Sequence, residues 1–251
     1  MSEVFIKHNP LLGSDSLLRE ADGLQLLRQS IESSGVQLSI PEVYRISQHE
    51  LQLEKVSSEY PSPQQMQLLG QELARLHCVA QPFYGLKQDN YLGLSKQING
   101  EFDNWGEFFL QQRLGYQVAK IRQQGLKERF SNQLKQHGDK LSQFLNDNCK
   151  YPSLVHGDLW SGNVLFDQNK VWLIDPAVYY ADREVDLAMT EMFSGFSAEF
   201  YQGYDEILLR TQHYPVKKVI YNLYHYLNHY NLFGDGYLSG CEQGFACLES
   251  L

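Results

Sequence analysis

The chain has little of what would mark a polyanion binder, a disulfide scaffold or a membrane protein. Basic residues are outnumbered, with 21 Lys and Arg against 30 Asp and Glu and a net charge of −9. Nucleic-acid binding draws much of its affinity from Lys and Arg placed on phosphates, so that partner class is disfavoured. A small anionic ligand held by one or two cations and a metal stays compatible with this balance. The 4 cysteines, Cys78, Cys149, Cys241 and Cys247, make no Cys-x-x-Cys pair and no metal-ligand spacing. No apolar run approaches the roughly 20 residues of a membrane helix. The opening MSEVFIKHNP has no basic segment leading into an apolar one, so no signal peptide is expected. Together these absences predict a reduced, soluble, cytoplasmic protein.

What is present is enough for a large core. The 251 residues are 43% hydrophobic and 13% aromatic, with 16 Tyr and 13 Phe, which argues against disorder. Val4 to Lys7 has strand character. Leu17, Ala21, Leu24, Leu27 and Ile31 recur at helical spacing. Two strand-like runs follow, 42–46 and 51–56, and the Pro- and Ser-interrupted SSEYPSPQQ from Ser57 reads as a linker. Ser62-Pro63-x-Gln65 then predicts a capped helix start, continued by Met66, Leu69, Leu73 and Leu76. Asn104 is a candidate cap for a helix through Trp105, Phe108, Phe109, Gln112 and Tyr116. A further helix carries Phe130, Leu134, Leu141 and Phe144, and helical spacing recurs over Val185–Phe193, Ala198–Leu209 and Val216–Phe233.

The informative stretch is VHGDLWSGNVLFDQNKVWLIDPA, from Val155. Two apolar runs, Val164–Phe166 and Val171–Ile174, flank the polar turn Asp167-Gln168-Asn169-Lys170, a β-hairpin signature. Counting back from the turn pairs Phe166 with Val171, Leu165 with Trp172, Val164 with Leu173 and Asn163 with Ile174. Asn163 and Asp175 then emerge side by side at the open end, and Asp158 lies five residues before Asn163. Carboxylates at the ends of apolar strands are costly unless something cationic binds them. An amide oxygen beside a carboxylate suits Mg²⁺. His156-x-Asp158-x4-Asn163, a hairpin and then Asp175 follow the catalytic-loop and metal-loop spacing of protein kinases. In that chemistry Asp158 takes the proton of an attacking hydroxyl, while Asn163 and Asp175 hold Mg²⁺ on the nucleotide phosphates.

The run HGDLWSGN, followed by IDPA and DREVDLAM, resembles the fructosamine (ketosamine) kinase family, relatives of the aminoglycoside phosphotransferases. LLREADGLQLL, LARLH, WGEFFLQQRLG and LNHYNLFG extend the resemblance over most of the chain. It implies an α+β, protein-kinase-like fold of two lobes: a small α/β lobe over residues 1–57 and a larger, mainly helical lobe over 58–251. It also implies an ATP- and Mg²⁺-dependent kinase acting on the 3-hydroxyl of a ketosamine, a sugar joined to an amine by glycation. Lys7 falls where the family's strand lysine contacts the α/β-phosphates, and Glu20 on its acidic partner. Leu53, Glu54, Lys55 and Val56 take the place of the hinge that offers backbone groups to adenine. Alone, Lys7 and Glu20 would read as surface charges. Trp160 is read either as a support for the sugar or as a core residue. His156 is expected to brace the loop. Asp182 and Glu184 are candidates for attracting the substrate amine, and Asp186 for a helix N-terminal role. His225 and His229 lack the glutamate of the HExxH motif, so no zinc site is expected there.

The family begins with a glycine-containing hairpin over the phosphates. Only Gly13 and Gly23 occur in the first thirty residues, neither before Lys7. The small lobe is therefore expected to be shortened, by a start lying upstream, by a reduced working lobe, or through loss of catalysis. A kinase-shaped binding protein and an aminoglycoside-type phosphotransferase stand as the alternatives to the ketosamine kinase.

Overall fold

The computed structural model describes residues 3–11, 13–193 and 195–251. Strand β1 (Val4–His8), helix α1 (Ser16–Ser34) and strands β2 (Val43–Ile46) and β3 (Glu50–Glu54) come first. The strands form an antiparallel sheet in the order β1-β3-β2, with Lys7 opposite Leu51 and Phe5 opposite Leu53. Helix α1 buries Leu17, Leu24, Leu27 and Ile31, the stripe legible in the sequence, and stops where Gly35 turns left-handed at φ 67°.

An irregular segment leads into α2 (Pro63–His77), which opens with the anticipated reciprocal cap. Ser62 Oγ accepts from the Gln65 N–H at 3.2 Å, and Gln65 Oε1 accepts from the Ser62 N–H at 3.0 Å. Four short strands not anticipated from the sequence follow: β4 (Tyr84–Leu86), β5 (Asn90–Leu92), β6 (Ser95–Gln97) and β7 (Gly100–Phe102). β5 and β6 make a hairpin of their own. Asn104 caps α3 (Trp105–Phe108), accepting from the Glu107 N–H at 2.8 Å. The chain then widens into a π-helical segment, Phe109–Gly115, before α4 (Tyr116–Lys120) and α5 (Gln124–Asp147). The π segment buries Arg113, whose guanidinium lies 4.5 Å from the Phe108 ring centre and 4.1 Å from that of Tyr179.

Strands β8 (Ser153–Val155), β9 (Val164–Phe166), β10 (Val171–Leu173) and β11 (Tyr179–Ala181) carry the chain through the motif. β9 and β10 form the hairpin in the register the sequence predicts, Phe166 to Val171, Leu165 to Trp172 and Val164 to Leu173. β11 lies between β4 and β8 in a four-stranded sheet ordered β7-β4-β11-β8. Helices α6 (Glu184–Thr190), α7 (Ala198–Ile207), α8 (Tyr214–Phe233) and α9 (Leu238–Glu249) complete the fold. Helix α6 is shorter than its apolar pattern suggests: after Thr190 the backbone tightens, the Glu191 N–H donating to Ala188 O at 3.3 Å and the Met192 N–H to Met189 O at 3.1 Å.

Two hydrophobic clusters hold these elements. One gathers Trp105, Phe108, Tyr179, Tyr221 and Phe245 among the later helices. The other joins Leu24 and Leu27 of α1 to Leu69 and Leu73 of α2 and to Leu173 of β10, so apolar packing is continuous past residue 57. Ser39 ties the two parts further: its N–H donates to Val171 O at 2.8 Å and its carbonyl accepts from the Leu173 N–H at 2.9 Å. The arrangement is a mixed one of helices and short antiparallel sheets.

Candidate active site

The loop before β9 is built on Asp186. This carboxylate, fully buried in the first turn of α6, accepts from the His156 N–H at 2.7 Å and the Gly157 N–H at 2.9 Å. His77 Nε2 lies 3.3 Å away on the same carboxylate. Burial pushes the Asp186 pKa up, but the hydrogen bonds from His77 and the Gly157 N–H help to hold it below the usual carboxylate range. His156 is buried, and its Nε2 lies 2.9 Å from Ile174 O. A carbonyl only accepts, so this nitrogen carries the proton, and Nδ1 accepts from the Asp158 N–H at 3.3 Å. The imidazole thus braces the loop against the strand leading to Asp175. Gly157 sits at φ 80°, and a Cβ there would lie 2.2 Å from Ala177 O, so both its conformation and its neighbour require glycine.

Asn163 closes the loop. Its Nδ2 donates to Asp158 O at 2.8 Å and to the Asp158 carboxylate at 3.2 Å. That fixes the amide orientation and leaves Oδ1 as an oxygen donor. Burial pushes the Asp158 carboxyl up to about 7, with the bond from Asn163 pulling it down and the charges of Asp175 and Asp186 adding to the rise. A carboxyl near 7 is poised to accept a proton at neutral pH. Asp175 follows β10 at φ 51°, the left-handed backbone that non-glycine residues seldom adopt. This turn sets its carboxylate 3.0 Å from Lys7 Nζ, and the same nitrogen donates to Glu20 at 2.7 Å. Burial lowers the Lys7 pKa, but Glu20 and Asp175 outweigh it and the net shift is upward. Burial pushes Glu20 up to about 7 against the pull of Lys7.

Lys7, Glu20, Asp158, Trp160, Asn163 and Asp175 therefore line one cleft of about 270 Å³. Trp160 is 38% exposed, which removes it from the core, and its ring folds over Gly162. The donor set fits a divalent cation of the Mg²⁺ type, in which two protein oxygens leave positions for phosphate and water. Among the described residues no group of three or more His, Cys, Asp or Glu stands ready to hold a metal without such help.

Two expectations are corrected. Asp182 and Glu184 do not face the cleft. Both are buried on Lys217, whose Nζ lies 2.5 Å from Asp182 and 2.7 Å from Glu184. Tyr221 also donates to Asp182 at 2.7 Å, and Thr211 donates to Glu184 through its N–H at 2.6 Å. Charges so enclosed are structural and cannot meet a substrate amine. The second is the hinge, whose free N–H donors narrow to one. Leu53 is buried in the sheet, the Glu54 N–H donates to Glu42 O at 2.8 Å, and the Lys55 N–H donates to Glu3 O at 2.9 Å. Of the four proposed hinge residues, Val56 is the one without a backbone hydrogen bond among the described residues.

The structure also assembles residues that the sequence did not single out. A second cavity of about 350 Å³ shares Asp158 and Trp160 with the cleft and is walled by Leu94, Phe193, His229 and Phe233. Leu94 and Gly93, at the tip of the β5–β6 hairpin, border both cavities. The hairpin is anchored under the Asp175 loop: Asn90 Nδ2 donates to Val178 O at 2.8 Å and Gln97 Nε2 to Ala177 O at 3.0 Å.

Known proteins carry the same framework. The chain is 45% identical over 177 residues to the probable ketoamine kinase of Synechocystis, a match covering 70% of this chain and 59% of that protein. With the probable ketoamine kinase of Vibrio vulnificus it shares 39% over 230 residues, covering 89% and 77%. It thus spans less than two thirds of the first relative and about three quarters of the second. A solved fructosamine-3-kinase-like structure from Thermobifida fusca superposes with a TM-score of 0.85 at 25% identity, over 100% of this chain and 86% of that one. An aminoglycoside phosphotransferase, at 15% identity and a TM-score of 0.62 over 99% and 87%, shares the fold alone. The fructosamine kinase family model matches residues 1–248, and the chain belongs to that family.

Proposed function

We propose that the protein transfers the γ-phosphoryl group of ATP to a sugar hydroxyl, the 3-hydroxyl, of a ketosamine. The carrying observation is the convergence of Lys7, Asp158, Asn163 and Asp175 on one cleft next to a second, apolar cavity. The relatives' names, ketoamine kinase and ribulosamine 3-kinase, support the acceptor class.

In this reading the acceptor hydroxyl lies against Asp158, which takes its proton as the oxygen forms its bond to the γ-phosphorus. The bond from that phosphorus to the β,γ-bridging oxygen breaks, and ADP leaves with those electrons. Lys7 contributes positive charge toward the α/β-phosphates, with Glu20 fixing its ammonium. Asn163 and Asp175 are the residues that would hold Mg²⁺, which supplies positive charge to the phosphate oxygens when bound. Val56 would offer its N–H to the base. Residues 1–57 would cover the nucleotide, and residues 58–251 would carry the base and the acceptor.

The test is ADP formation with Mg-ATP, with and without a fructosyl-amine, for the wild type and Asp158→Asn. Formation that requires the fructosyl-amine and is lost in the variant is expected. A folded protein that forms no ADP under these conditions contradicts the proposal.

A further inference from the structure

The second cavity carries information about the acceptor beyond its sugar. It shares Asp158 and Trp160 with the cleft, so it is space open to whatever is attached to a sugar reacting at Asp158. Its walls are mostly apolar and its rim is exposed: Leu94 is 46% exposed, Leu232 37% and Phe233 62%, beside Trp160. Isolated exposed hydrophobics are ordinary, but four converging on one mouth next to a reacting group mark a binding surface.

Its charges are equally restricted. Among the described lining residues the only formal charge is the Asp158 carboxylate, and no Lys or Arg reaches the wall. His229 adds no cation. Its Nδ1 lies 2.7 Å from the His225 carbonyl, so that nitrogen donates and Nε2 is left as a neutral acceptor. Burial holds its pKa below the usual histidine value. The neighbouring cations, Lys7 and Arg19, are committed to Glu20 and Asp175 and to Asp15 and Asp22. A carboxylate entering this cavity would lose hydration and meet no cation among the described lining residues. The ammonium of a ketosamine, by contrast, finds aromatic faces at Trp160 and Phe193.

Resting on the function proposed above, we infer that the protein selects ketosamines whose amine substituent is apolar and uncharged, and disfavours those with a carboxylate beside the ketoamine. The occupant of the cavity is an alkyl or aryl group, as on a simple amine, in place of a free amino acid joined through its α-nitrogen.

The test measures kcat/KM for the N-fructosyl adducts of methylamine, phenethylamine and phenylalanine. The last two differ by one carboxylate. The phenethylamine adduct should exceed each of the others by about tenfold or more, the scale of one apolar group placed in a fitting pocket. Phe233→Ser, at an exposed position, should narrow the phenethylamine-to-methylamine ratio. Leu232→Lys should raise the phenylalanine adduct relative to phenethylamine. Equal turnover of all three adducts leaves the kinase standing and overturns the selectivity. Turnover of none overturns both.

Discussion

Gly157 and Asp186 lie twenty-nine residues apart in the chain, yet the Gly157 N–H donates to the Asp186 carboxylate at 2.9 Å. The neighbouring His156 N–H does the same at 2.7 Å, so one buried charge holds the loop that presents Asp158. Asp186→Asn keeps one acceptor but turns an N–H₂ toward these donors or toward His77. We expect a loss of about 2–3 kcal/mol in stability, the scale of leaving buried donors unsatisfied, together with a fall in kcat. Urea denaturation and turnover of the same preparation check it. An unchanged midpoint would show that the loop does not depend on this carboxylate.

Lys217 bridges Asp182 and Glu184 in a buried cluster, and the other cation there, Arg183, lies farther off, at 3.7 Å from Glu184. Lys217→Met takes the ammonium from both enclosed carboxylates and leaves only the more distant Arg183 on Glu184. Breaking such a pair costs about 3–5 kcal/mol. The expected result is a large drop in denaturation midpoint or failure to fold at 37 °C, and a near-native midpoint would place the carboxylates in water.

Gly157→Ala asks for a left-handed backbone and a Cβ 2.2 Å from Ala177 O. The loop must shift, moving Asp158 relative to Asp175. Strain of this kind amounts to about 1–3 kcal/mol. Activity should fall more steeply than stability, read as kcat beside thermal midpoint.

His225 is fully buried, and burial, with His229 adding, pushes its pKa down to about 3. An unfolded histidine titrates near 6.5, so below that pH the unfolded chain binds a proton the folded chain does not. The stability this group contributes is complete above about pH 6.5 and is lost as pH falls toward 3, by about 1.4 kcal/mol per pH unit. Asp158 and Glu20, each raised to about 7, act in the opposite sense, losing stability as pH rises from the ordinary carboxylate range. The difference between wild type and His225→Leu isolates the histidine. Denaturation at pH 7 and pH 5 should show the wild type losing more stability than the variant between the two. Equal losses would mean His225 is protonated without cost.

Much of the site was legible because its signals are local. The β9–β10 hairpin is announced by four polar residues, Asp167 to Lys170, between two apolar runs, and its register follows from counting. The Ser62 and Asn104 caps are likewise set by residues three apart. What escaped depends on distant partners. Strands β4 to β7 are three residues each, too short for alternation to register against Gly93 and Gly100. Asp182 and Glu184 look available until Lys217, on another helix, claims them. Asp186 reads as a helix-start acid, and only the tertiary fold turns it onto the loop before β9. The second cavity draws Leu94, Phe193 and Phe233 from three separate parts of the chain.

The most direct test of the central claim is ³¹P and ¹³C NMR of the product formed from Mg-ATP and a fructosyl-alkylamine by the wild type and by Asp158→Asn. One new phosphate monoester, coupled to carbon 3 of the sugar and missing with the variant, is expected. A phosphate on another atom, an equal yield from Asp158→Asn, or inorganic phosphate alone would contradict it.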